Sequence, residues 1–220
     1  MTVSEKRTQR REKLTAIDLY PVITEKFCAG RRALEVLDRL LAAGVRIVQL
    51  REKELCKRDL FELGLEFRRR TADADCLLII NDHVDVAMAL DADGVHLGQA
   101  DLPLHAARPI APDLLIGVST HTLDQALAAQ EAGADYVNVG PIYPTGTKPE
   151  HQVFLGPEKM GEIGRELSIP FTVMGGIKTH NVAPVLAAGA KHIAVVTAVT
   201  AAVDIEGAAK QLRNQIIGSY

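Results

Sequence analysis

Apolar positions along the 220-residue chain gather into eight short β-rich runs. They lie at 18–24 (DLYPVIT), 45–51 (VRIVQLR), 76–82 (CLLIIND), 94–99 (GVHLGQ), 114–120 (LLIGVST), 136–142 (YVNVGPI), 170–177 (PFTVMGGI) and 192–199 (HIAVVTAV). Between them the apolar spacing predicts helices over 31–43, 58–72, 122–132, 157–167 and 179–188. The links after the third and fourth runs are shorter, and the helical reading is weaker there. Four stretches, LLAAGVRIVQL, ALDADGVHLGQ, AAQEAGADYVNVG and VLAAGAKHIAVV, share one grammar: small residues closing a helix, a Gly or Asp turn, then an apolar run. Gly44, Gly133 and Gly189 fall where a helix C-cap belongs. Such an αβ repeat points to a parallel sheet covered by helices. Eight strands in a chain of this length predict an α/β fold, a single (β/α)8 TIM barrel spanning 17–220, preceded by a charged N-terminal arm over 1–16. The alternative, an open doubly wound sheet, lacks a GxGxxG after the first strand.

A barrel gathers its chemistry at the C-terminal ends of its strands, because the loops that follow build the site. In order, those ends offer Thr24; Gln49, Arg51 and Lys53; Asn81 and Asp82; Gln99 and Asp101; Ser119 and His121; Thr145, Thr147 and Lys148; Gly175 and Gly176; Val196 and Thr197. The N-terminal ends carry mostly small or turn residues. In "VQLREK" the spacing puts Gln49, Arg51 and Lys53 on one face of an extended strand and Leu50 and Glu52 on the other.

Composition narrows the partners. At 47% apolar and 24% charged, with net charge −3 and pI near 6.2, the chain gives no reason to expect nucleic acid or a membrane surface. No apolar stretch approaches the ~20 residues of a membrane span. The arm lacks the apolar core of a secretory signal and reads as solvated and partly disordered. Cys28, Cys56 and Cys76 share no CxxC spacing, which indicates neither a disulfide framework nor a zinc site and fits a reduced, cytoplasmic setting. Oligomeric state is left open.

Arg51, Lys53 and Lys148 bring three cations to one mouth, suited to phosphate oxygens. Asp82 and Asp101 are either their ion-pair partners or ligands for a hard cation such as Mg2+ held together with substrate phosphates. Gly175-Gly176 and the end of the eighth strand suggest a second, backbone-built phosphate cradle. "YPTGTKP" is a loop placed to cover a ligand, with Thr145 and Thr147 flanking Gly146. His96 reads as a satisfied barrel-core residue, and His121 as an acid, a base or an orienter. Ser119 and His121 have no identifiable third member of a nucleophilic triad, so covalent catalysis is not expected. The residues therefore predict two small phosphorylated substrates and group transfer with loss of diphosphate.

"QLREK" (49–53), "NDHVDVA" (81–87), "DGVHLGQADLP" (93–103), "GVSTHT" (117–122), "GPIYPTGTKP" (140–149) and "GGI" (175–177), in this order and spacing, resemble the thiamine-phosphate synthase family from about residue 17 to 215. The resemblance implies a transferase that joins an aminopyrimidine diphosphate to a thiazole phosphate, forming thiamine monophosphate and releasing diphosphate. It carries Gln49, Arg51, Lys53, Asn81 and Lys148 onto the pyrimidine-diphosphate contacts, and counts Leu50 and Glu52 of the same segment among the substrate-binding residues. Asp82 and Asp101 match the Mg2+ ligands, and Ser119 matches the residue at the pyrimidine ring. Thr145, Gly146, Thr147, Gly176, Val196 and Thr197 match the thiazole-phosphate side, and Arg51, Lys53, Ser119 and Lys148 are the catalytic candidates. Thr197 stands where the family usually has Ser. Two rivals are a thiazole tautomerase, which does not need the full diphosphate set, and a non-catalytic sensor of phosphorylated thiamine precursors.

Overall fold

In the computed structural model, which describes residues 4–146 and 153–219, eight parallel strands close in sequence order into a barrel. The elements run α1 (Glu5–Thr15), β1 (Leu19–Ile23), α2 (Ala33–Ala42), β2 (Ile47–Leu50), α3 (Lys57–Asp73), β3 (Leu77–Asn81), α4 (Val84–Ala89), β4 (Gly94–Leu97), α5 (Leu104–Ile110) and β5 (Leu115–Thr120). They continue with α6 (Leu123–Glu131), β6 (Tyr136–Val139), α7 (Gly156–Arg165), β7 (Phe171–Val173), α8 (Val182–Ala187), β8 (His192–Val195), α9 (Thr197–Thr200) and α10 (Ile205–Ile217). The barrel closes through β1 and β8, with Tyr20 opposite Ala194. The third and fourth links do hold helices, α4 and α5, of six and seven residues. Each is too short for its periodicity to stand out in the sequence. The seventh and eighth apolar runs end earlier as strands than as runs, because Gly175 and Gly176 turn the chain at positive φ and Thr197 starts α9.

Strand side chains alternate between two cores. Leu50, Leu78, Ile80, Val95 and Val137 face outward against the helices. Tyr20, Ile47, Leu77, Ile79, Leu115, Tyr136 and Ala194 face inward, joined from below by Leu14 and Ile17. Both faces are buried, so the strands read as continuous apolar runs rather than alternating ones. Gly117 makes the inner core possible: a Cβ there would lie 2.1 Å from Cζ of Tyr136, so only glycine leaves room for that ring.

The arm differs from its expected disorder. Residues 5–15 form α1, capped by Ser4, whose Oγ accepts from the Arg7 N–H at 3.1 Å. The cause lies in the αβ repeat. Asp93 and Asp135, which end the turns before β4 and β6, accept from the Leu78 and Ile116 N–H groups at 2.9 and 2.8 Å, tying neighbouring strands together. Their carboxylates also receive Arg10 and Arg7 of α1, with Nε–Oδ1 distances of 3.2 and 2.9 Å. Arg10, almost fully buried, donates further to the carbonyls of Ala92 and Asp113. A helix polar on nearly every side is thus fixed across the barrel's N-terminal end by buried charge pairing, with Leu14 completing the inner core.

Candidate active site

The C-terminal mouth brings together most of the predicted residues that are described. Gln49 projects inward from β2 and is 3% exposed. Arg51 follows the strand with its backbone clamped on both sides: its N–H donates to the Ile23 carbonyl at 2.9 Å and its own carbonyl accepts from Thr24 Oγ1 at 2.6 Å. Leu50 and Glu52 go the other way, as the alternation requires. Leu50 is sealed in the outer core, and Glu52 accepts from the Glu25 N–H at 2.6 Å. Burial, added to the nearby Glu25 and Glu54, raises the Glu52 carboxyl above its usual range. Neither side chain therefore reaches into the mouth from this face, and Glu52 braces the loop that follows β1.

Asp82 and Asp101 meet across the ends of β3 and β4. Asp82 adopts φ +61, the left-handed region that Asp tolerates better than bulkier residues, with its N–H donated to the His96 carbonyl at 2.9 Å. Asp101 is anchored by the Gly98 N–H, which donates to its Oδ2 at 2.6 Å. Burial raises the Asp82 carboxyl first, then a hydrogen bond with Asp101 that needs a proton on one of the pair and the repulsion of Asp101 when both are ionised; Lys53, with Nζ 3.0 Å from Asp82 Oδ2, offsets part of that rise. Two facing carboxylates relieved by one cation form a donor set suited to a hard divalent ion, whose charge would remove the remaining repulsion. Among the described residues no group of three or more His, Cys, Asp or Glu side chains gathers to hold a metal.

Asn81, buried at the end of β3, and Ser119, buried on β5, sit on the inner face of the same mouth. Ser119 Oγ lies 2.9 Å from His96 Nε2, and its carbonyl accepts from Gln99 Nε2 at 2.6 Å. His96 is the satisfied core residue expected, and it also touches a predicted site residue, which spacing alone did not reveal. His121 commits Nδ1–H to the Gly140 carbonyl at 2.6 Å, and its backbone N–H donates to Gln125 Oε1 at 2.8 Å, so it holds the β5 and β6 ends together.

Thr145, Gly146, Gly176, Val196 and Thr197 all line one cavity of about 230 Å³. Gly175 and Gly176 have φ +111 and +63, and a Cβ on Gly176 would lie 2.5 Å from the Pro144 carbonyl. The Gly-Gly pair is thus dictated both by backbone conformation and by the approach of the loop after β6. Two further lining residues are not among those the sequence pattern singled out. Phe27, in the 3-10 turn Glu25–Phe27 after β1, carries no pattern that would mark it, whereas Lys178, two residues beyond Gly176, is a cation beside a glycine turn, a signal that went unused. Thr147 and Lys148 lie outside the described residues. A second cavity, lined by Lys13, Arg46, Asp75 and Arg213, opens at the opposite end of the barrel and shares none of the predicted residues.

Residues 19–199 match the family model described as thiamine monophosphate synthase. A thiamine-phosphate synthase of Shouchella clausii is 44% identical over 195 residues, covering 88% of this chain and 93% of that one. Another, of Chloroflexus aurantiacus, is 46% identical over 195 residues, covering 89% and 90%. Among solved structures, thiamine phosphate pyrophosphorylase from Pyrococcus furiosus superposes with a TM-score of 0.86 at 35% identity, over 95% of this chain and 98% of that one.

Proposed function

The chain belongs to the thiamine monophosphate synthase family and is an enzyme of that class, and from this premise we propose that its barrel mouth joins an aminopyrimidine diphosphate to a thiazole phosphate. The observation that carries the reading is the adjacency of two differently built sites on one mouth. One is a charged set of Lys53, Asp82 and Asp101, with Arg51 following β2 just before Lys53, and the other is the glycine-turned cavity at Gly176 and Thr197. The first suits a diphosphate with Mg2+, and the second suits a monophosphate held largely by backbone.

In this reading the carbon–oxygen bond to diphosphate breaks, electrons pushed from the pyrimidine's amino group support the resulting cationic carbon, and the thiazole nitrogen forms the new carbon–nitrogen bond. Arg51 and Lys53 receive the charge that grows on the departing diphosphate, and Lys148 is assigned to the same task by its place in the sequence motif. Asp82 and Asp101 would hold Mg2+, which, when bound, neutralises diphosphate oxygens and improves the leaving group. Gln49, Asn81 and Ser119 orient the pyrimidine ring. Thr145, Gly176, Val196 and Thr197 place the thiazole phosphate so that its nitrogen faces the reacting carbon, with Gly146 and Thr147 in the covering loop. Positioning and leaving-group stabilisation do the work, and no nucleophile–base pair is needed. A tautomerase would leave the Arg51, Lys53, Asp82 and Asp101 set without a task.

The test is an assay of the purified chain with both phosphorylated substrates and Mg2+, following thiamine phosphate by chromatography, with an EDTA control. Product that disappears with EDTA and returns with added Mg2+ is expected. Absence of product from folded protein would overturn the assignment.

A further inference from the structure

Five buried side chains form a continuous hydrogen-bonded line across the barrel interior. Gln49 Nε2 lies 2.8 Å from Tyr20 Oη, Tyr20 Oη 3.0 Å from Tyr136 Oη, Tyr136 Oη 3.1 Å from His96 Nδ1, and His96 Nε2 2.9 Å from Ser119 Oγ. The line begins and ends at residues of the mouth, on β2 and β5, while its middle runs beneath them through the inner core. We propose that Tyr20, Tyr136 and His96 are positioning residues that polarise this line in one direction, so that Ser119 presents its hydroxyl proton to the ligand above it.

The direction follows from donor counting. The Gln49 amide nitrogen only donates, so Tyr20 accepts from it. Tyr20 has one proton, and its other partner along the line is Tyr136, so that proton goes to Tyr136. Tyr136 then gives its own proton to His96 Nδ1. The imidazole therefore carries its proton on Nε2 and donates it to Ser119 Oγ, which leaves the serine proton unspent within the line. In the opposite sense Tyr20 would hold a buried O–H aimed at an amide NH2, an unmet donor in a closed core. Both phenols stay protonated, since burial raises them well above their usual range. Ring packing fixes the geometry: Tyr136 meets Tyr20 edge-on at 6.2 Å and lies tilted against His96 at 5.6 Å between centroids. Resting on the transferase reading, the ligand group that receives the serine proton is an acceptor nitrogen of the pyrimidine ring.

The decisive measurement is the nitrogen NMR spectrum of the full chain labelled with 15N-histidine, with the His96 resonances identified by their loss in His96→Asn. Wild type is expected to show the proton on Nε2 and an unprotonated Nδ1. Tyr136→Phe removes the donor to Nδ1 and should give a mixture of tautomers, together with a loss of about tenfold in kcat/KM for the pyrimidine substrate, the size of one hydrogen bond, and an unchanged KM for thiazole phosphate. Tyr20→Phe, which leaves the Tyr136 ring in place, should mix the tautomers in the same way. A wild-type proton on Nδ1 would overturn the polarity whether or not the variants fold. An unchanged tautomer in both folded variants would overturn the roles of the two tyrosines. The expected tautomers in a chain that makes no thiamine phosphate would uphold the relay and discard the transferase reading instead.

Discussion

Lys53 Nζ lies 3.0 Å from Asp82 Oδ2, so a cation assigned to the diphosphate and a carboxylate assigned to the metal are paired with each other in the free protein. In the proposed reaction they exchange partners, Lys53 turning to diphosphate oxygen and Asp82 to Mg2+. Asp82→Ala removes one of two facing carboxylates and should lower turnover by about a hundredfold or more, since the metal would contribute several kcal/mol to leaving-group stabilisation. Steady-state rates across a Mg2+ titration check this. Full turnover in Asp82→Ala would remove that residue from the metal site.

The Arg51 backbone is held by the Ile23 carbonyl at the end of β1 and by the Thr24 hydroxyl after it, so truncating its side chain should leave the strand end in place. Arg51→Ala is expected to reduce kcat by about 10²–10³-fold, as loss of a preorganised charge at a developing anion does. Thiazole-phosphate KM should change little. A defect confined to that KM would assign Arg51 to the other site.

Gly117→Ala places a methyl group 2.1–2.5 Å from the Tyr136 ring and its hydroxyl, which cannot yield without moving the inner core. Overpacking of this kind costs about 1–3 kcal/mol. Urea unfolding should report that loss, and activity should fall with it because Tyr136 carries the line to Ser119. An unaltered midpoint would mean that the ring has room to shift.

His192 is half-buried, and its imidazole is held below its ordinary value of 6.5, chiefly by burial and secondarily by Lys191, against opposing contributions from the Ile17 carbonyl and Asp18. The folded state therefore binds this proton less readily than the unfolded chain. Stability linked to His192 is present above about pH 6.5 and is lost as pH falls through the folded value. His192→Gln should flatten the fall in unfolding free energy between roughly pH 7 and 5. Denaturant curves at several pH values for both proteins decide it, and parallel slopes would exclude the residue.

The strand count, the parallel sheet and the end of the barrel where polar groups gather were legible in the sequence, because each rests on local pattern. Continuous apolar runs mark strands buried on both faces, and polar groups recur just after them. The period of two likewise suffices to place Gln49 and Arg51 on one face and Leu50 on the other. Tertiary structure decided what depends on partners distant in the chain. The arm has almost no apolar stripe, so nothing in its own pattern predicts a docked helix; Arg7 and Arg10 are fixed by Asp135 and Asp93, 128 and 83 residues away. Phe27 joins the Gly176 cavity only because the barrel closes β1 against β8. Tyr20, Tyr136 and His96 read as ordinary core residues one by one. Their hydroxyls and ring nitrogens become a line only when three separate strands aim them at the same point inside a closed barrel.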